Sequence, residues 1–252
     1  MLVKVAAAGI CGSNLTYVKV GGVGAPMIEP IGLGHELSGR IHRVGDNVRD
    51  LQPGTRVIVN PMGNGNAIGN GMVDGAFAPL LRVCNATLGD SIHPIPDHLS
   101  FENAALAEPL SVVLHAVNRA EVDEQSKAVV FGAGPIGLSI VLWLHRKGLK
   151  NIVVVDMSDQ RLERAKALGA DVTINPSRDN LSDTMGAAHG KRLHFGVPCV
   201  NSNVFLKHPA RAVSFPTSSP WLVFIRASSS SPFITNRSQS VFMRHYRKKC
   251  PL

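Results

Sequence analysis

The hydrophobic positions of the first 115 residues form short runs, separated by glycine- and proline-containing turns. Short runs of this kind between turn residues are typical of β-strands. The predicted strands are Leu2–Ala7, Leu37–Val44, Arg56–Asn60 and Phe77–Val83. Residues 1–115 are therefore predicted to form a small, irregular β domain.

After residue 115 the pattern changes to alternating strand and helix signals. Leu162, Ala165 and Leu168 follow helical spacing, and Gly169 stands where a helix C-cap is expected. The predicted elements are Ala128–Phe131, Pro135–Lys147, Ile152–Asp156, Gln160–Leu168 and Val172–Ile174. This β-α-β-α-β order predicts half of a doubly wound parallel sheet over residues 116–190.

A glycine pattern joins the first strand of this sheet to its helix. Gly132 permits a tight bend, Gly134 lets the backbone approach a pyrophosphate, and Gly137 lets the helix pack on the strand. The pyrophosphate would lie at the helix N-terminus, where free N–H groups favour negative charge. Asp156 ends the next strand and would accept from ribose hydroxyls. Since a 2′-phosphate would meet this carboxylate, the sequence predicts NAD rather than NADP.

Beyond residue 190 the hydrophobic residues follow neither the alternation of a strand nor the spacing of a helix over any sustained length. Residues 191–252 hold ten of the 26 Lys and Arg residues and none of the 18 acids, so the net charge of +8 comes from this segment. We find no second β-α-β half here, so the Rossmann domain is expected to be incomplete and followed by a basic, Ser- and Pro-rich tail. A nucleic-acid-binding arm is the alternative interpretation, but only Arg247–Lys249 cluster, and we predict no nucleic-acid partner.

Composition is that of an ordinary soluble globular protein, with 44% hydrophobic and 17% charged residues. The longest uncharged run, Ala128–Leu144, carries three glycines and a proline and is short for a bilayer span. We therefore predict no membrane partner. The N-terminus does not have the pattern of a signal peptide, and the four cysteines show no close pairing. We expect a cytoplasmic protein.

Thiol, imidazole and carboxylate groups occur at Cys11, His35, Glu36 and Glu108. These are the ligand types of zinc, and three protein ligands leave the open position that catalysis requires. Each residue alone also has an ordinary structural interpretation, as a buried thiol, a hydrogen-bonded imidazole or the start of a helix. The dinucleotide motif favours zinc, because hydride transfer from an alcohol needs a group that acidifies the hydroxyl.

Five motifs occur in the order seen in zinc-dependent medium-chain dehydrogenases. They are Gly9-Ile-Cys-Gly-Ser13, Gly34-His-Glu36, Asp50-Leu-Gln-Pro-Gly-Thr-Arg-Val57, Ala107-Glu-Pro-Leu-Ser111 and Gly132-Ala-Gly-Pro-Ile-Gly137. Residues 1 to about 185 resemble this family, most of all its sorbitol, threonine and related polyol dehydrogenase branch. The resemblance implies an α/β protein with a GroES-like catalytic domain followed by a Rossmann domain.

By this resemblance Cys11, His35 and Glu36 match catalytic-zinc positions, and Glu108 matches an acid that binds zinc directly or through water. Two adjacent ligands, His35 and Glu36, require a bend in the backbone. Which carboxylate binds the metal stays open.

The resemblance also assigns other site residues. Ser13 matches the hydroxyl that hands on the alcohol proton, and Tyr17 matches a substrate-contacting tyrosine. The remaining cofactor-binding positions are Pro135, Ile136, Asp156 and Arg161, beside the three glycines.

Several positions depart from the family pattern. Residues 60–71 contain no thiol where the family has four cysteines, so we expect one catalytic zinc and no structural zinc. Asn14 stands where the family has an aspartate that orients the zinc-binding histidine, and Thr16 replaces a histidine of the proton relay. The chain begins near the family's second strand, so we expect the family's opening strand to be missing. The tail from about residue 190 looks like an out-of-frame or misjoined terminus.

The sequence thus predicts a zinc-dependent oxidoreductase that transfers hydride between an alcohol or polyol CH–OH group and NAD. The alternative is a truncated, non-catalytic remnant that binds zinc or NAD weakly. The expected partner is a small-molecule alcohol or polyol of undetermined identity. The family forms homo-oligomers, and the sequence predicts no oligomeric state for this chain.

Overall fold

The computed structural model describes residues 1–194, 197–207 and 223–226. The chain forms two compact units, Met1–Ser111 and Val112–Leu252. The boundary predicted after residue 115 lies four residues beyond Ser111, and both positions are within helix α3 (Ala107–Arg119). Each unit has its own cluster of buried apolar side chains.

The first unit is built on an antiparallel sheet with the strand order β4-β1-β2-β3-β5. Its strands are β1 (Leu2–Gly9), β2 (Glu36–Arg43), β3 (Arg56–Val59), β4 (Leu80–Arg82) and β5 (Ile92–Pro94). Helices α1 (Gly12–Val20) and α2 (Phe101–Ala105) and a 3₁₀ turn (Gly63–Gly65) join them. The fully buried side chains of Val3, Val57 and Ile92 lie in its core. The irregular β prediction is confirmed, while β5, α1 and α2 were not predicted.

Asparagine side chains close the glycine-rich segment 60–71, which we call the asparagine lobe. Asn66 donates to the carbonyl oxygens of Gly63 (2.7 Å) and Cys84 (2.8 Å) and accepts from the Cys84 N–H group (3.1 Å). Asn60 donates to the carbonyl of Asp90 (3.1 Å). These bonds tie the lobe to the chain around β5, in the region where the family pattern would carry cysteines.

The second unit holds a five-stranded sheet with the order β12-β11-β6-β7-β8. Its parallel core contains β6 (Ala128–Phe131), β7 (Ile152–Val155) and β8 (Val172–Ile174). Helices α4 (Pro135–Arg146), α5 (Asp159–Ala167) and α6 (Leu181–His189) accompany it. The elements other than α6 were predicted to within about one residue, since β6 and β7 are fully apolar runs between turn signals. Among the described residues, every helix is too short or too polar to cross a membrane.

The described residues beyond 190 contain four strands. Strands β9 (Lys191–His194) and β10 (Val197–Val200) form a hairpin, and β11 (Val204–Lys207) pairs in parallel with β6. The backbone of β12 (Val223–Arg226) runs antiparallel to β11.

Strand β11 corrects the expectation that the nucleotide-binding fold ends near residue 190. Val204 and Leu206 are buried, and Asn203 fixes the start of the strand through two hydrogen bonds to Lys127. Only four residues long and set among polar residues, this strand has no clear period in the sequence. The serine run at 228–231 and the basic cluster at 247–249 lie outside the described residues.

A buried histidine links the end of α6 to the segment before β11. The Nε2 atom of His189 lies 3.2 Å from the carbonyl oxygen of Asn151, and its Nδ1 atom lies 2.8 Å from the hydroxyl of Ser202. Because a carbonyl only accepts, Nε2 carries the proton and Nδ1 accepts from the Ser202 hydroxyl. Burial lowers the pKa of His189, and the nearby Lys127 ammonium also lowers it. The fold therefore favours the neutral ring.

We expect the second unit to lose stability as the pH falls below about 6.5, the ordinary pKa of histidine. In that range the unfolded chain binds a proton that folded His189 resists, so acid favours unfolding. His189→Gln should remove this pH dependence, while the exposed His98→Gln should retain it. Urea unfolding at a series of pH values measures the effect, and identical slopes for wild type and His189→Gln would contradict it.

Candidate functional site

The first group of predicted site residues begins at the N-terminus of α1. Cys11 precedes the helix in an extended conformation, and its N–H group donates to the Oδ1 atom of buried Asn14 (3.1 Å). Asn14 therefore orients the backbone of Cys11. Its role as an acceptor for His35, expected from the resemblance, is not observed: the oxygen accepts from Cys11, and the Nδ2 atom has no partner among the residues that the structure describes.

His35 and Glu36 lie at the start of β2, directly after a bend. Gly34 has a φ of +88°, a conformation that favours glycine, and Glu36 pairs with Gly9 at the end of β1. One ligand atom each of Cys11, His35 and Glu36 lie within 4.8 Å of one another. The structure thus brings these three predicted ligands together, including the two adjacent ones.

Two carboxyl groups share this region. Burial raises the pKa of Glu36, against the opposing effects of His35 and of a hydrogen bond with Cys11. Burial likewise raises the pKa of Glu108, opposed by His35 and reinforced by Glu36. Glu108, in the first turn of α3, therefore lies close enough to interact electrostatically with both residues, but it is outside the three-residue cluster.

The donor set fits a zinc ion. Sulfur, imidazole nitrogen and carboxylate oxygen are ligands that zinc binds in catalytic sites. The Nδ1 atom of His35 is buried and has no hydrogen-bond partner in the part of the chain that the structure describes. Buried polar atoms are nearly always satisfied, and a metal ion would provide the partner that this site otherwise lacks.

Two further candidates, Ser13 and Tyr17, lie four residues apart on α1 and therefore on one face of the helix. The Ser13 hydroxyl oxygen is buried and, among the described residues, makes no hydrogen bond of ordinary length. The Tyr17 hydroxyl donates to the Oδ1 atom of Asn70 (3.2 Å), and burial raises the pKa of Tyr17 against the opposing effect of the Ser13 hydroxyl. Thr16 is exposed, and its hydroxyl donates to the Gly12 carbonyl of its own helix, so it is not directed toward this group.

The second group of predicted residues forms the turn between β6 and α4. Gly132 has a φ of +93°, Gly134 is the N-cap of α4, and Pro135 is its first residue. A Cβ atom at position 137 would collide with the carbonyl oxygen of Gly132, so the helix begins directly against the turn. This geometry agrees with the spacing from which the dinucleotide motif was predicted.

Asp156 holds this turn from the end of β7. Its two carboxylate oxygens accept from the N–H groups of Ala133 (2.7 Å) and Ser158 (2.8 Å). Ile136 packs against the core of the unit, and Arg161 is exposed on α5. The acid expected from its position to bind ribose thus also fixes the glycine turn.

Sequence reasoning missed two residues of the first group. Gly9 leaves no room for a Cβ atom beside the Glu36 side chain, and Asn70 binds the Tyr17 hydroxyl. Both contacts depend on strand or loop pairing far along the chain. Gly9 belongs to the motif Gly9-Ile-Cys-Gly-Ser13, but the spacing of that motif does not show that Gly9 makes room for the Glu36 side chain.

A β domain with a Cys-His-Glu cluster, followed by a Rossmann-type sheet with its glycine turn, defines a zinc-binding dehydrogenase architecture. Comparison with known proteins agrees. Residues 1–97 match the family described as alcohol dehydrogenase GroES-like domain, and residues 135–215 match the family described as zinc-binding dehydrogenase. The chain belongs to the zinc-dependent medium-chain alcohol dehydrogenase family.

Individual relatives are similar over most of the chain. Sorbitol dehydrogenase of Bos taurus is 37% identical over 195 residues, which cover 71% of this chain and 54% of that protein. The crystal structure of 2R,3R-butanediol dehydrogenase from Bacillus subtilis has 32% identity and a TM-score of 0.62, covering 74% of this chain and 59% of that one. An Escherichia coli alcohol dehydrogenase complexed with NADH has 31% identity and a TM-score of 0.61, covering 74% and 58%. The chain thus spans little more than half the length of these relatives.

We expect Gly9→Ala to weaken zinc binding about tenfold, because the added methyl group would displace the Glu36 carboxylate. Gly12→Ala is the matched control, since a Cβ atom there meets nothing within 4 Å. Competition with a chromogenic chelator measures the affinity. Unchanged binding in Gly9→Ala, together with a loss in Glu108→Gln, would show that Glu108 rather than Glu36 is the ligand.

Two substitutions in the glycine turn should have different effects. Gly137→Ala should lower the free energy of unfolding by about 1–3 kcal/mol, because its methyl group collides with the Gly132 carbonyl. Gly134→Ala has open space and should retain stability, yet weaken NADH binding on the order of tenfold if the pyrophosphate approaches this backbone. Urea unfolding and NADH fluorescence titration measure the two effects. Equal stability losses in both variants would contradict this division of roles.

Proposed function

We propose that this chain acts in zinc-dependent transfer of hydride between the CH–OH group of an alcohol or polyol and NAD. The observation that carries the proposal is the Cys11-His35-Glu36 cluster with its unpartnered imidazole nitrogen, in one chain with a glycine turn fixed by Asp156. The names of the relatives, sorbitol dehydrogenase and 2R,3R-butanediol dehydrogenase, support the substrate class.

Cys11, His35 and Glu36 would hold a single catalytic zinc, with Glu108 as the alternative carboxylate ligand. Zinc, when bound, supplies a Lewis acid that lowers the pKa of a substrate hydroxyl. The asparagine lobe supports the proposal of one zinc and no structural zinc, because buried amides already close it. Its main closing residue, Asn66, uses both donors of its amide group and its oxygen in hydrogen bonds.

Ser13 would receive the substrate proton at its Oγ atom and hand it on. A hydroxyl both accepts and donates, and this one lies buried two residues from Cys11 and beside the Tyr17 hydroxyl. Tyr17, on the same face of α1, would contact the substrate. Thr16 donates to its own helix, so the relay would not pass through it.

The second unit would bind NAD. The cofactor supplies the hydride acceptor. Gly132, Gly134 and Gly137 would let the pyrophosphate approach the N-terminus of α4, with Pro135, Ile136 and Arg161 as further contacts. The Asp156 carboxylate favours NAD over NADP, because it would repel a 2′-phosphate. The hydrogen bond that Asp156 accepts from the Ala133 N–H group keeps the negative charge of the carboxylate beside the glycine turn.

The test uses the purified full chain, with zinc content per chain, NADH binding and turnover of a polyol panel as readouts. We expect one zinc, saturable NADH binding and turnover, with kcat about 100-fold lower in Ser13→Ala and both ligands still bound. Ser182→Ala, an exposed serine on α6, is the control and should keep wild-type kcat. Zinc and NADH binding without turnover would indicate the non-catalytic remnant. Absence of both ligands would reject the proposal.

A further inference from the structure

The asparagine lobe and the segment after it enclose the chain immediately before His35. Gly69 leaves no room for a Cβ atom against the Gly34 backbone. Three backbone hydrogen bonds join the segments: Gly32 N to Met72 O (2.8 Å), Phe77 N to Leu33 O (3.0 Å) and Ala76 N to Gly34 O (2.9 Å). The lobe and the segment after it therefore fix the backbone that leads into the proposed metal site.

Asn70 connects the same lobe to α1. Its Nδ2 atom donates to the Ile68 carbonyl (3.3 Å), which directs Oδ1 toward the Tyr17 hydroxyl, 3.2 Å away. Its backbone forms an isolated bridge with Leu33, two residues before His35. Asn70 is thus bonded both to a proposed substrate-contacting residue and to the segment before a proposed metal ligand.

The direction of the Tyr17–Asn70 bond has a chemical consequence. A phenolic hydroxyl has one proton, and here that proton is donated to the Asn70 oxygen. The oxygen of Tyr17 keeps its lone pairs and can accept from another hydroxyl. A substrate hydroxyl beside Tyr17 would therefore have to act as the donor.

We propose that Asn70 is a positioning residue that holds Tyr17 as a hydrogen-bond acceptor and thereby favours substrates with a second hydroxyl group. This inference rests on the proposed function, in which Tyr17 contacts the substrate. It adds to that function a preference for vicinal diols over matched mono-alcohols and assigns the preference to a residue outside the proposed ligand set.

The first test compares a vicinal diol with the mono-alcohol of the same carbon skeleton. Asn70→Leu should raise KM for the diol about fivefold, leave kcat within about twofold, and leave KM for the mono-alcohol unchanged. Asn70→Asp keeps the acceptor oxygen and should restore the low diol KM. Tyr17→Phe should raise KM for the diol at least as much as Asn70→Leu does, and the double variant should be no worse than Tyr17→Phe. Additive losses, or equal losses for both substrates, would overturn the proposal.

The second test needs no turnover. The chain has two tyrosines, so Tyr246→Phe leaves Tyr17 as the single signal in a spectrum of ¹³Cζ-tyrosine-labelled protein. Because the bond to Asn70 stabilises the protonated phenol, Asn70→Leu should lower the pKa of Tyr17, and Asn70→Asp should not lower it. Addition of the diol should shift the signal in wild type, and shift it only at higher concentration in Asn70→Leu.

The two tests separate the hypotheses. A wild-type chain that oxidises no alcohol would reject the proposed function, while the Tyr17 signal would still decide the role of Asn70. A Tyr17 pKa that is the same in Asn70→Leu, Asn70→Ala and wild type would overturn the inference. So would diol binding that is equal in all three proteins.

Discussion

In both units a candidate site lies where two stretches of backbone touch with no side chain between them. Gly69 meets Gly34 before the proposed metal ligands, and Gly137 meets the carbonyl of Gly132 at the dinucleotide turn. At such contacts a single methyl group forces the backbone apart, because protein interiors are close-packed and yield little. The positions of His35 and of the α4 N-terminus therefore depend on Gly69 and Gly137 having no side chain.

The asparagine lobe shows a second way of fixing a loop beside a site. A thiolate metal site would stabilise the loop through a few strong bonds that depend on metal and redox state. Here the bonds are amide to backbone, each with a small net contribution of about 1 kcal/mol, and they depend only on the fold around them. The lobe is consequently independent of metal supply, and it can present Asn70 to Tyr17 whether or not the proposed catalytic zinc is bound.

The sequence was informative where a short pattern determines local geometry. The apolar strands β6 and β7 and the glycine turn were predicted to within about one residue, because burial on both faces leaves uninterrupted apolar runs. Residue types and the dinucleotide motif suggested Cys11, His35, Glu36 and Glu108 as zinc ligands, but their spacing in the sequence could not show that the first three come together. The partners of Asn14 and Asn70 could not be predicted, since an amide has donors and acceptors for many partners and tertiary contacts select among them. Strand β11 was missed because four residues carry too little periodic signal.

That missed strand changes the chemistry expected of the second unit. The chain passes from β6 to β7 and β8 on one side, and then returns to place β11 on the other side of β6. In a doubly wound sheet, ligands bind outside the carboxyl ends of the strands where the strand order reverses in this way. With β6, β7 and β8 alone, the glycine turn would lie at a sheet edge. With β11 in place, it lies at a switch point, with Asp156 holding the turn from the next strand. The sheet, which adds β11 and β12 beyond residue 190, therefore has the reversal of strand order at which a dinucleotide would bind.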